Sequence, residues 1–598
     1  MGSSHFIVCG GLRVQRGDVE SKNVLRLDLW KMDAAKGNVE LHIEDIHKRL
    51  LSNVPDQFAD LLEIATYVYS ADQAIRRGAL DVPKFGANWR RDIHLHIPVR
   101  CLEFWNQPNV LRTLTGLLDF LSDDFYTFTF HGSTKAPQIQ GYLGLADSVA
   151  PKAKPEQVIL FSGGLDSLAG AIEEAVIQKR QIILVNHRST QKLGGKHREL
   201  QQLLDKHSGA LKPLHMTVRI NKSQTLTKDY TQRSRSFLYA AIGATIAEMV
   251  GLRSICFYEN GVVGLNLPVC AQVVGGRATR TAHPRVLQGF KDLLSLVASA
   301  PFEVKNPFVW RTRGEIIKQI IAAGCGELIA PSISCAHTWE MSKDGTHCGL
   351  CSQCIDRRIG IIAAGAEALD PVSQYRSDVF LKSMSKDEDK MMAATYLERA
   401  NSFERIRSEL DLVKAYPAVL EAIPYLDGNP AQVTARILDL YRRHANEVNQ
   451  AIDFMIARHA SELRKRILPG DCLLKIVYES RAVKSVPTVS TEPLTTNAPA
   501  GCKIVGDFSV IRFSNGTEVN LSKRAKPRSF LRYVQQWCKD KGDKDFLYEE
   551  VLHDYNAKHT GRPIRSDRMD HDLFKNVEGF DQLFETLDRA AQRFRLLI

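Results

Sequence analysis

Apolar and polar residues follow different periods along the chain and predict regions of different structure. Residues 1–150 combine short apolar runs, which predict strands, with a helical run over 57–77 in which apolar residues recur every three or four positions. Residues 156–370 alternate strand-like and helix-like segments, which is typical of a doubly wound α/β unit with a parallel sheet. Residues 371–485 are helical in pattern, with charged faces and almost no strand signal.

A linker and a small C-terminal domain are predicted after the helical region. Residues 486–500 are rich in Pro, Thr and Ser, a composition that cannot build a core. Within 501–598, alternating residues around Asn515-Gly516 predict a β-hairpin. The remaining predicted elements are helices over 529–539, 546–555 and 566–574 and a closing strand over 593–597. This order resembles a winged helix.

The most informative segment is Ser162-Gly163-Gly164-Leu165-Asp166-Ser167, which follows an apolar run that predicts a buried strand. Two glycines allow the backbone to turn sharply and to approach a ligand closely. A helix that begins near Ser167 would direct its free N–H groups and positive dipole end at the loop, where a phosphate is stabilised. The Walker pattern GxxxxGK[ST] is absent here. A simple Gly-Gly turn is the alternative, but the whole motif favours ATP.

The next predicted strand ends in Asn186 and His187, at the sheet edge where such folds contact ribose and adenine. A polar strand end without a ligand is the alternative for both residues. The net charge of +11 is concentrated nearby, because Lys179 to Arg235 contains 13 Lys and Arg against three acids. This basic segment favours a nucleoside triphosphate and an anionic carboxylate, and a solvated charged face is the alternative. The C-terminal region, with 18 basic and 15 acidic residues, is only a weak candidate for DNA or RNA binding and favours protein docking.

Four of the twelve cysteines lie within twenty residues of one another. Tetrahedral zinc needs four soft ligands, and a CxxC turn presents two thiolates to one ion. His337 and His347 are alternative fourth ligands, although a cysteine suits this site better. A closed site of this kind stabilises structure and has no open position for catalysis. The predicted zinc ligands are Cys335, Cys348, Cys351 and Cys354.

No apolar run reaches the 18 to 20 residues or so that a bilayer span requires, and no signal-peptide pattern is present at the start. We therefore expect a cytoplasmic protein without a membrane partner.

The loop motif resembles that of the PP-loop ATP pyrophosphatases, which have a HUP-type parallel sheet and cleave ATP between the α and β phosphates. The order of the loop and the cysteine cluster is similar to the 7-cyano-7-deazaguanine synthase family of queuosine biosynthesis. The resemblance covers residues 156–365, a little over a third of the chain. Its further matching segments are Arg233-Ser-Arg235, Glu259-Asn260-Gly261, Asn306-Pro-Phe308, Thr312-Arg-Gly-Glu315 and Arg357-Arg358.

This resemblance implies an ATP-dependent ligase that adenylates the carboxylate of 7-carboxy-7-deazaguanine before an amine attacks. It implies ATP, Mg²⁺ and structural Zn²⁺ as cofactors. The implied ATP-binding residues are Ser162, Gly163, Gly164, Asp166, Ser167, Asn186 and His187, with Asp166 and Ser167 as the catalytic pair. The implied substrate-binding residues are Arg235, Glu259, Asn260, Arg280 and His283. The loop that carries Arg280 and His283 does not match the family closely, and an ordinary surface loop is the alternative.

Large additional regions on both sides depart from the biosynthetic family. Together with Trp89-Arg-Arg91 and Ile97-Pro-Val-Arg100, they resemble the synthase-like proteins of bacterial anti-phage defence islands. That resemblance implies transfer of the deazaguanine acyl group to a protein amine. Ordinary packing is the alternative for Trp89 and the arginines. The other functional hypotheses are nitrile synthesis from ammonia, another PP-loop modification of tRNA or nucleosides, and a zinc-containing winged-helix regulator that senses a nucleotide.

Overall fold

The chain forms two compact units, Met1–Ser485 and Val486–Ile598. The computed structural model describes residues 4–14, 24–29, 38–41, 54–77, 90–133, 154–188, 194–229, 233–267, 280–337, 345–384, 387–485, 503–505, 510–512, 518–520, 525–541, 545–558, 584–588 and 593–596. Trp89, the predicted linker over 486–500 and the predicted helix over 566–574 lie outside these residues. No helix in these ranges is both long and apolar enough for a membrane span.

The N-terminal region of the first unit is a parallel sheet covered by helices. Its elements are β1 (Ser4–Cys9), β2 (Val24–Leu27), β3 (Val39–Leu41), α1 (Asp56–Ala74), β4 (Asp92–Val99), α2 (Leu102–Trp105), α3 (Pro108–Ser122) and β5 (Phe125–Gly132). Four strands pair in the order β2-β1-β4-β5, and every neighbouring pair is parallel. Seventeen of the 19 residues of α1 are buried, so this helix is packed on all sides.

The central α/β unit follows and contains the predicted doubly wound sheet. Its elements are β6 (Gln157–Leu160), α4 (Leu165–Ile172) with a π-helical turn over Glu173–Ile177, β7 (Ile182–Arg188), α5 (Gly194–His207), β8 (Leu214–Lys222), α6 (Arg235–Met249), β9 (Ser254–Cys256), α7 (Gly261–Leu265), α8 (Pro284–Val297), β10 (Glu303–Lys305), α9 (Arg313–Ala322) and α10 (Ser352–Ala363).

The sheet order is β10-β9-β6-β7-β8-β3, and the five strands of the α/β unit run parallel. Val158, Ile159 and Leu160 are all buried because both faces of β6 are covered, as expected for a parallel sheet. The predicted α/β fold class is thereby confirmed. The sixth strand, β3, comes from the N-terminal region and pairs antiparallel with β8.

The N-terminal region and the α/β unit share one hydrophobic core. Leu62 of α1, Val185 of β7 and Phe237 of α6 belong to the same buried cluster. A second cluster lies on the opposite face of the central sheet and contains Leu184 and Leu168 of α4. The loop helix α4 and the N-terminal region therefore cover opposite faces of the sheet.

A helical region completes the first unit. Its helices are α11 (Asp387–Arg405), α12 (Glu409–Ala415), α13 (Pro430–Arg458), α14 (Ala460–Arg464) and α15 (Leu473–Ser485). Helix α13 begins with a capping box in which Asn429 accepts from the backbone N–H of Gln432 and Gln432 bonds back. Its buried face, which includes Val433, Ile437 and Tyr441, belongs to a core that also contains Ile355 of α10.

The described residues of the second unit form two small sheets and two helices. The elements are β11 (Lys503–Val505), β12 (Val510–Arg512), β13 (Glu518–Asn520), α16 (Ala525–Lys541), β14 (Asp545–Leu547), α17 (Tyr548–Lys558), β15 (Phe584–Asp588) and β16 (Arg593–Leu596). The antiparallel pairing of β12 with β13 confirms the hairpin strands, although the Asn515-Gly516 turn lies outside the described residues.

One helix boundary in this unit was predicted wrongly. Phe546 lies in β14 and pairs with Phe594 of β16, so the helix begins at Tyr548. Strand pairing with a distant segment overrides the local helical pattern here. The closing strand is confirmed, and the winged-helix assignment stays a prediction.

A buried ion-pair network fastens the N-terminal region to the α/β unit. Asp72 of α1 accepts from Arg91 Nη2 at 2.5 Å and from Arg77 Nη2 at 3.3 Å. Its other oxygen accepts from the backbone N–H and hydroxyl of Ser234, at 3.1 and 3.0 Å. Burial would raise the pKa of Asp72, but the two arginines hold it below its usual value. Arg91 belongs to the segment Trp89-Arg-Arg91 of the sequence, and its buried contact with Asp72 gives it a packing role.

We predict that Asp72→Ala lowers the free energy of unfolding by about 3–5 kcal/mol, because it leaves Arg91 and Ser234 buried without this acceptor. Urea denaturation of the full chain measures the loss. Asp56→Ala, at a site on the same helix whose side chain is 72% exposed, is the control and should cost less than about 0.5 kcal/mol. Equal losses from the two variants would contradict the assigned role of Asp72.

Candidate functional site

The glycine loop turns sharply between β6 and α4. Gly163 adopts a φ of 81°, in the left-handed region that favours glycine, and Gly164 is the N-cap of α4. A Cβ on Gly163 would lie 2.7 Å from Nε2 of His197, so a neighbouring side chain also requires a small residue here. The backbone therefore passes close to the ring of His197, and phosphate binding by the loop stays a prediction.

Hydroxyl groups gather around the first turn of α4. Ser162 Oγ and Ser167 Oγ are 3.1 Å apart, and the Gly164 N–H donates to Ser162 Oγ at 3.3 Å. The N–H of Leu165 donates to Ser334 Oγ at 3.4 Å. These donors, together with the positive end of the helix dipole, form a suitable environment for an anionic phosphate.

Asp166 is buried and fully engaged by protein groups. One carboxylate oxygen accepts from Arg313 Nη1 at 2.6 Å. The other accepts from the backbone N–H and the side-chain amide of Asn260, at 3.1 and 2.9 Å. Direct contact of Asp166 with ATP stays a prediction, while these contacts support a role in positioning the loop.

Glu259 and Asn260 lie beside Asp166. Asn260 is fully buried and its Oδ1 caps α7 by accepting from the N–H of Val263 at 3.1 Å. Burial, and next the carboxylate of Asp166, raise the pKa of Glu259 well above its usual range. Binding of substrate by Glu259 and Asn260 stays a prediction.

Arg313 joins the loop helix to the cysteine-rich part of the unit. Besides Asp166, it contacts Asp356 of α10 through Nε at 2.7 Å and Gln353 through Nη2 at 3.1 Å. Burial would raise the pKa of Asp356, but Arg313 holds it below its usual value. In the sequence, Arg313 stands out only as part of the matching segment Thr312-Arg-Gly-Glu315. Its place at the first position of a capped, largely apolar helix is the signal that could have identified it.

The amide of Asn186 lies next to the strand that leads into the loop. Its Nδ2 donates to the backbone oxygen of Phe161 at 2.8 Å. Its Oδ1 is buried and has no hydrogen-bond partner within the described part of the chain. A buried acceptor without a donor is suited to a ligand hydroxyl or amine, which supports the predicted contact with ATP.

His187 and Arg235 lie together, but on another face of the sheet. Both meet Tyr239, His187 edge-on with ring centroids 5.8 Å apart and Arg235 through Nη2 to the hydroxyl at 3.3 Å. Alternation along β7 places His187 with Val185 on the N-terminal side and Asn186 with Leu184 on the side of α4. The structure therefore separates these two residues from the contacts of the loop.

Arg280 and His283 pack against Phe120 of α3. Arg280 Nη1 donates to the backbone oxygen of Phe120 at 2.7 Å, and its guanidinium lies 4.3 Å from the ring centroid. His283 is 3% exposed, meets the same ring edge-on and caps α8 by accepting from the N–H of Arg285 at 3.2 Å. These contacts support a structural role, and substrate binding by the pair stays a prediction.

The four predicted zinc ligands converge at one point. Their Sγ atoms all lie within 4.8 Å of one another, and those of Cys348 and Cys354 are 3.8 Å apart. A tetrahedron with Zn–S bonds of about 2.3 Å has edges of about 3.8 Å, so the cluster fits zinc. Backbone N–H groups of Cys348 and Cys351 donate to sulfur, which stabilises thiolates.

His347 is committed elsewhere and cannot replace a cysteine without rearrangement. Its Nε2 accepts from the N–H of Ser334 at 3.4 Å and its Nδ1 bonds Thr346 at 2.9 Å. Within the described ranges, the metal-ligand cluster contains Cys335 and neither His337 nor His347. Gly349 has a φ of 86° and a Cβ there would overlap Ser377, so the turn between Cys348 and Cys351 requires glycine.

The cysteine cluster is connected directly to the phosphate loop. Ser334, which precedes Cys335, accepts from the N–H of Leu165, and Ile333 donates its N–H to the oxygen of Gly163 at 2.9 Å. Arg357 of α10 is fully buried and holds this segment by donating to Ser332 Oγ at 2.8 Å. A metal that fixes the cluster therefore also fixes one wall of the loop.

A glycine loop before a capped helix, coupled to a four-thiol cluster at the carboxyl edge of a parallel sheet, defines a PP-loop type of nucleotide-binding α/β unit. Comparison with known families agrees with this class. Residues 156–365 match the family described as queuosine biosynthesis protein QueC, and this region of the chain is QueC-like.

Several curated proteins named 7-cyano-7-deazaguanine synthase are similar to this region. The protein from Nitrosococcus oceani is 25% identical over 237 residues, which cover 35% of this chain and 95% of the relative. That from Thiobacillus denitrificans is 26% identical over 232 residues, covering 36% and 96%. That from Cupriavidus taiwanensis is 29% identical over 137 residues, covering 22% of this chain. The chain spans about half (53%) of the length of this last relative.

We predict that the full chain binds about one zinc per molecule, as a single closed four-thiolate site requires. Cys351→Ser should lower zinc content in elemental analysis, because it removes one of the four thiolates. Cys101→Ser is the matched control, since Cys101 is also half-buried but lies outside the cluster. Unchanged zinc content in Cys351→Ser would contradict the assignment.

His283, the buried N-cap of α8, leads us to predict how the stability of the fold depends on pH. Burial, and next Arg280 and Arg285, lower the pKa of His283 to about 3. The unfolded chain, with a pKa near 6.5 at this residue, therefore binds more protons below pH 6.5, and stability is lost as the pH falls from about 6.5 toward 3.

His283→Asn should retain the N-cap but remove this titration. We expect its loss of unfolding free energy between pH 7 and pH 5 to be smaller than that of the parent by about 2 kcal/mol, measured by urea denaturation. An identical loss would show that His283 is not held neutral by folding.

Proposed function

We propose that the protein is an ATP-dependent ligase that activates the carboxylate of a 7-deazaguanine as an acyl adenylate. The observation that carries this proposal is the direct contact between the glycine loop and the segment that leads into the four-cysteine cluster, within a QueC-like region. The names of the relatives support a deazaguanine as the substrate.

The chemistry suits the arrangement of the loop. A carboxylate is a poor electrophile until one of its oxygens carries a good leaving group. In the first step a carboxylate oxygen attacks the α-phosphorus of ATP, forming a mixed anhydride and releasing pyrophosphate. In the second step an amine attacks the acyl carbon, forming an amide and releasing AMP and a proton. Ser162, Ser167 and the N–H groups of the first turn of α4 would bind the pyrophosphate as its charge develops.

The side chains around the loop have distinct proposed roles. Asn186 would accept from the ribose or adenine through its buried Oδ1. Asp166 would hold the loop helix against Arg313 and Asn260. Glu259, whose pKa is raised by burial and by Asp166, would contact the substrate. For Asn186 and Glu259 these roles agree with those that the resemblance implied, whereas Asp166 was implied as a catalytic, ATP-binding residue and is given a positioning role here.

Zn²⁺ and Mg²⁺ would bind at different sites. Zinc would be held by Cys335, Cys348, Cys351 and Cys354, where it fixes the segment beside the loop. Mg²⁺ would enter with ATP and offset phosphate charge. Among the described residues, the cysteine cluster is the only group of three or more metal-ligating side chains. The oxygens of Asp166 are already engaged, so no step is assigned to a protein-bound Mg²⁺ here.

For the acceptor we propose a protein amine, in a deazaguanylation reaction of anti-phage defence. The N-terminal region and the helical region over 371–485 support this proposal, because they share hydrophobic cores with the catalytic unit and add surface for a second macromolecule. Ammonia is the second candidate, giving an amide and then a nitrile. The relatives named 7-cyano-7-deazaguanine synthase favour ammonia.

We predict that ATP and 7-carboxy-7-deazaguanine together yield AMP and pyrophosphate, measured by coupled pyrophosphate release and chromatography of the nucleotides. Gly163→Ala should lower this turnover at least ~100-fold, because it displaces the loop from phosphate. Gly251→Ala is the matched control: Gly251 also has a positive φ of 72°, but a Cβ there meets nothing within 4 Å. ADP and phosphate as products would reject the proposal.

Intact mass spectrometry separates the two acceptors. The chain is incubated with ATP, the deazaguanine carboxylate and either ammonium or the proteins encoded beside it. An increase in protein mass equal to the acyl group supports the protein amine. A nitrile product with unmodified proteins supports ammonia instead.

A further inference from the structure

A second cluster of polar side chains lies between the N-terminal region and the central sheet. It consists of Tyr69 of α1, His187 of β7, Lys222 of β8, and Arg235 and Tyr239 of α6, and we call it the cationic pocket. The ring of His187 meets Tyr69 and Tyr239 edge-on, with centroids 5.6 and 5.8 Å apart. Lys222 Nζ lies 5.6 Å from the Tyr69 centroid, and the Arg235 guanidinium lies 5.3 Å from that of Tyr239.

Four polar atoms of this pocket are buried without hydrogen-bond partners among the described residues. Both ring nitrogens of His187, which is 1% exposed, have none within the described part of the chain. The same holds there for Lys222 Nζ and Arg235 Nε. Burying such groups without hydrogen-bond partners costs free energy, so finding several of them side by side indicates a ligand.

No carboxylate compensates the two cations within the described residues. Neither Lys222 nor Arg235 forms a salt bridge there. Asp72 is the acid whose charge acts on Lys222, but its oxygens are already used by Arg77, Arg91 and Ser234. The described residues of the pocket therefore carry about two positive charges near neutral pH. Burial lowers the pKa of Lys222 to about 8, which leaves it mostly protonated at pH 7.

The histidine of the pocket supplies a donor and not a charge. Burial, and next Arg235 and Lys222, lower the pKa of His187 to about 3, so its ring is neutral. A neutral imidazole carries one N–H donor and one acceptor. Lys222, Arg235 and the His187 N–H thus provide donors from three different elements.

The position of the pocket follows the general rule for ligand sites in open α/β sheets. His187 and Lys222 lie at the carboxyl ends of adjacent parallel strands, and Arg235 opens the 15-residue helix α6, so the dipole of that helix adds positive potential. The glycine loop follows the neighbouring strand β6 but leads to α4 on the other face of the sheet. The pocket is therefore separate from the contacts of the loop.

We propose that the cationic pocket binds the dianionic phosphate group of a small molecule, as a second anion site besides the glycine loop. Two cations match a charge of about −2 on a phosphate monoester or inorganic phosphate better than the single charge of a carboxylate. Tyr69 comes from outside the QueC-like segment, so the site depends on the N-terminal region. This inference is independent of the proposed ligase reaction.

Inorganic phosphate is the probe for the test. It is titrated into the full chain by isothermal calorimetry at pH 7.5 and constant ionic strength, with the parent protein, Lys222→Met, Lys222→Arg and Gly163→Ala. We expect Lys222→Met to weaken phosphate binding at least ~10-fold and Lys222→Arg to retain most of it. Gly163→Ala, which alters the loop, should leave this site unchanged. Lys206→Met, at an exposed lysine, is the charge control.

Thermal unfolding in chloride and in phosphate separates binding from a packing role. Lys222→Met removes a buried unpaired charge, so its Tm in chloride should equal or exceed that of the parent, while the rise in Tm caused by phosphate should be lost. A packing role predicts a lower Tm in both buffers and would overturn the proposal. Parent-like phosphate affinity in Lys222→Met, or loss of all binding in Gly163→Ala, would also overturn it. Equal competition by acetate would assign the pocket to carboxylates instead.

Discussion

The buried guanidinium of Arg313 is the constraint on which the geometry of the loop depends. A charge removed from water requires close counter-charges, and Asp166 and Asp356 supply them from opposite sides. This balance determines how the loop helix α4, helix α9 and the cysteine-bearing helix α10 pack together. Tyr396 of α11 donates to Asp356, so the helical region depends on the same pairings. Removing either carboxylate would disturb three elements at once.

The cysteine cluster acts on the same loop from another direction. Hydrogen bonds through Ile333 and Ser334 connect the chain before Cys335 to Gly163 and Leu165. The loop is therefore held by an ion-pair network on one side and by a metal-binding subdomain on the other. Such rigidity suits a site that must bind a developing charge without reorganising. On the far face of the sheet, Asp72 accepts from Ser234 and so holds the N-terminal region against the α/β unit.

Local signals in the sequence predicted those parts of the site that depend on neighbouring residues. The strand, the two glycines and the helix start near Ser167 could be predicted because backbone geometry dictates them. The thiol cluster could be predicted because few other side chains bind zinc. The pairing of Arg313 with Asp166, 147 residues away, has no local signal. His187 was grouped with Asn186, although the alternation of side chains along a strand already indicated opposite faces.

Strand β3 makes the N-terminal region part of the central sheet. It pairs antiparallel with the last three residues of β8 and so covers that part of the sheet edge. An uncovered edge presents unpaired N–H and C=O groups and is a template for intermolecular association. A truncated protein that begins at residue 156 would expose this edge and the apolar surface under α1. In this chain the far face of the central sheet therefore depends on the N-terminal region for its burial.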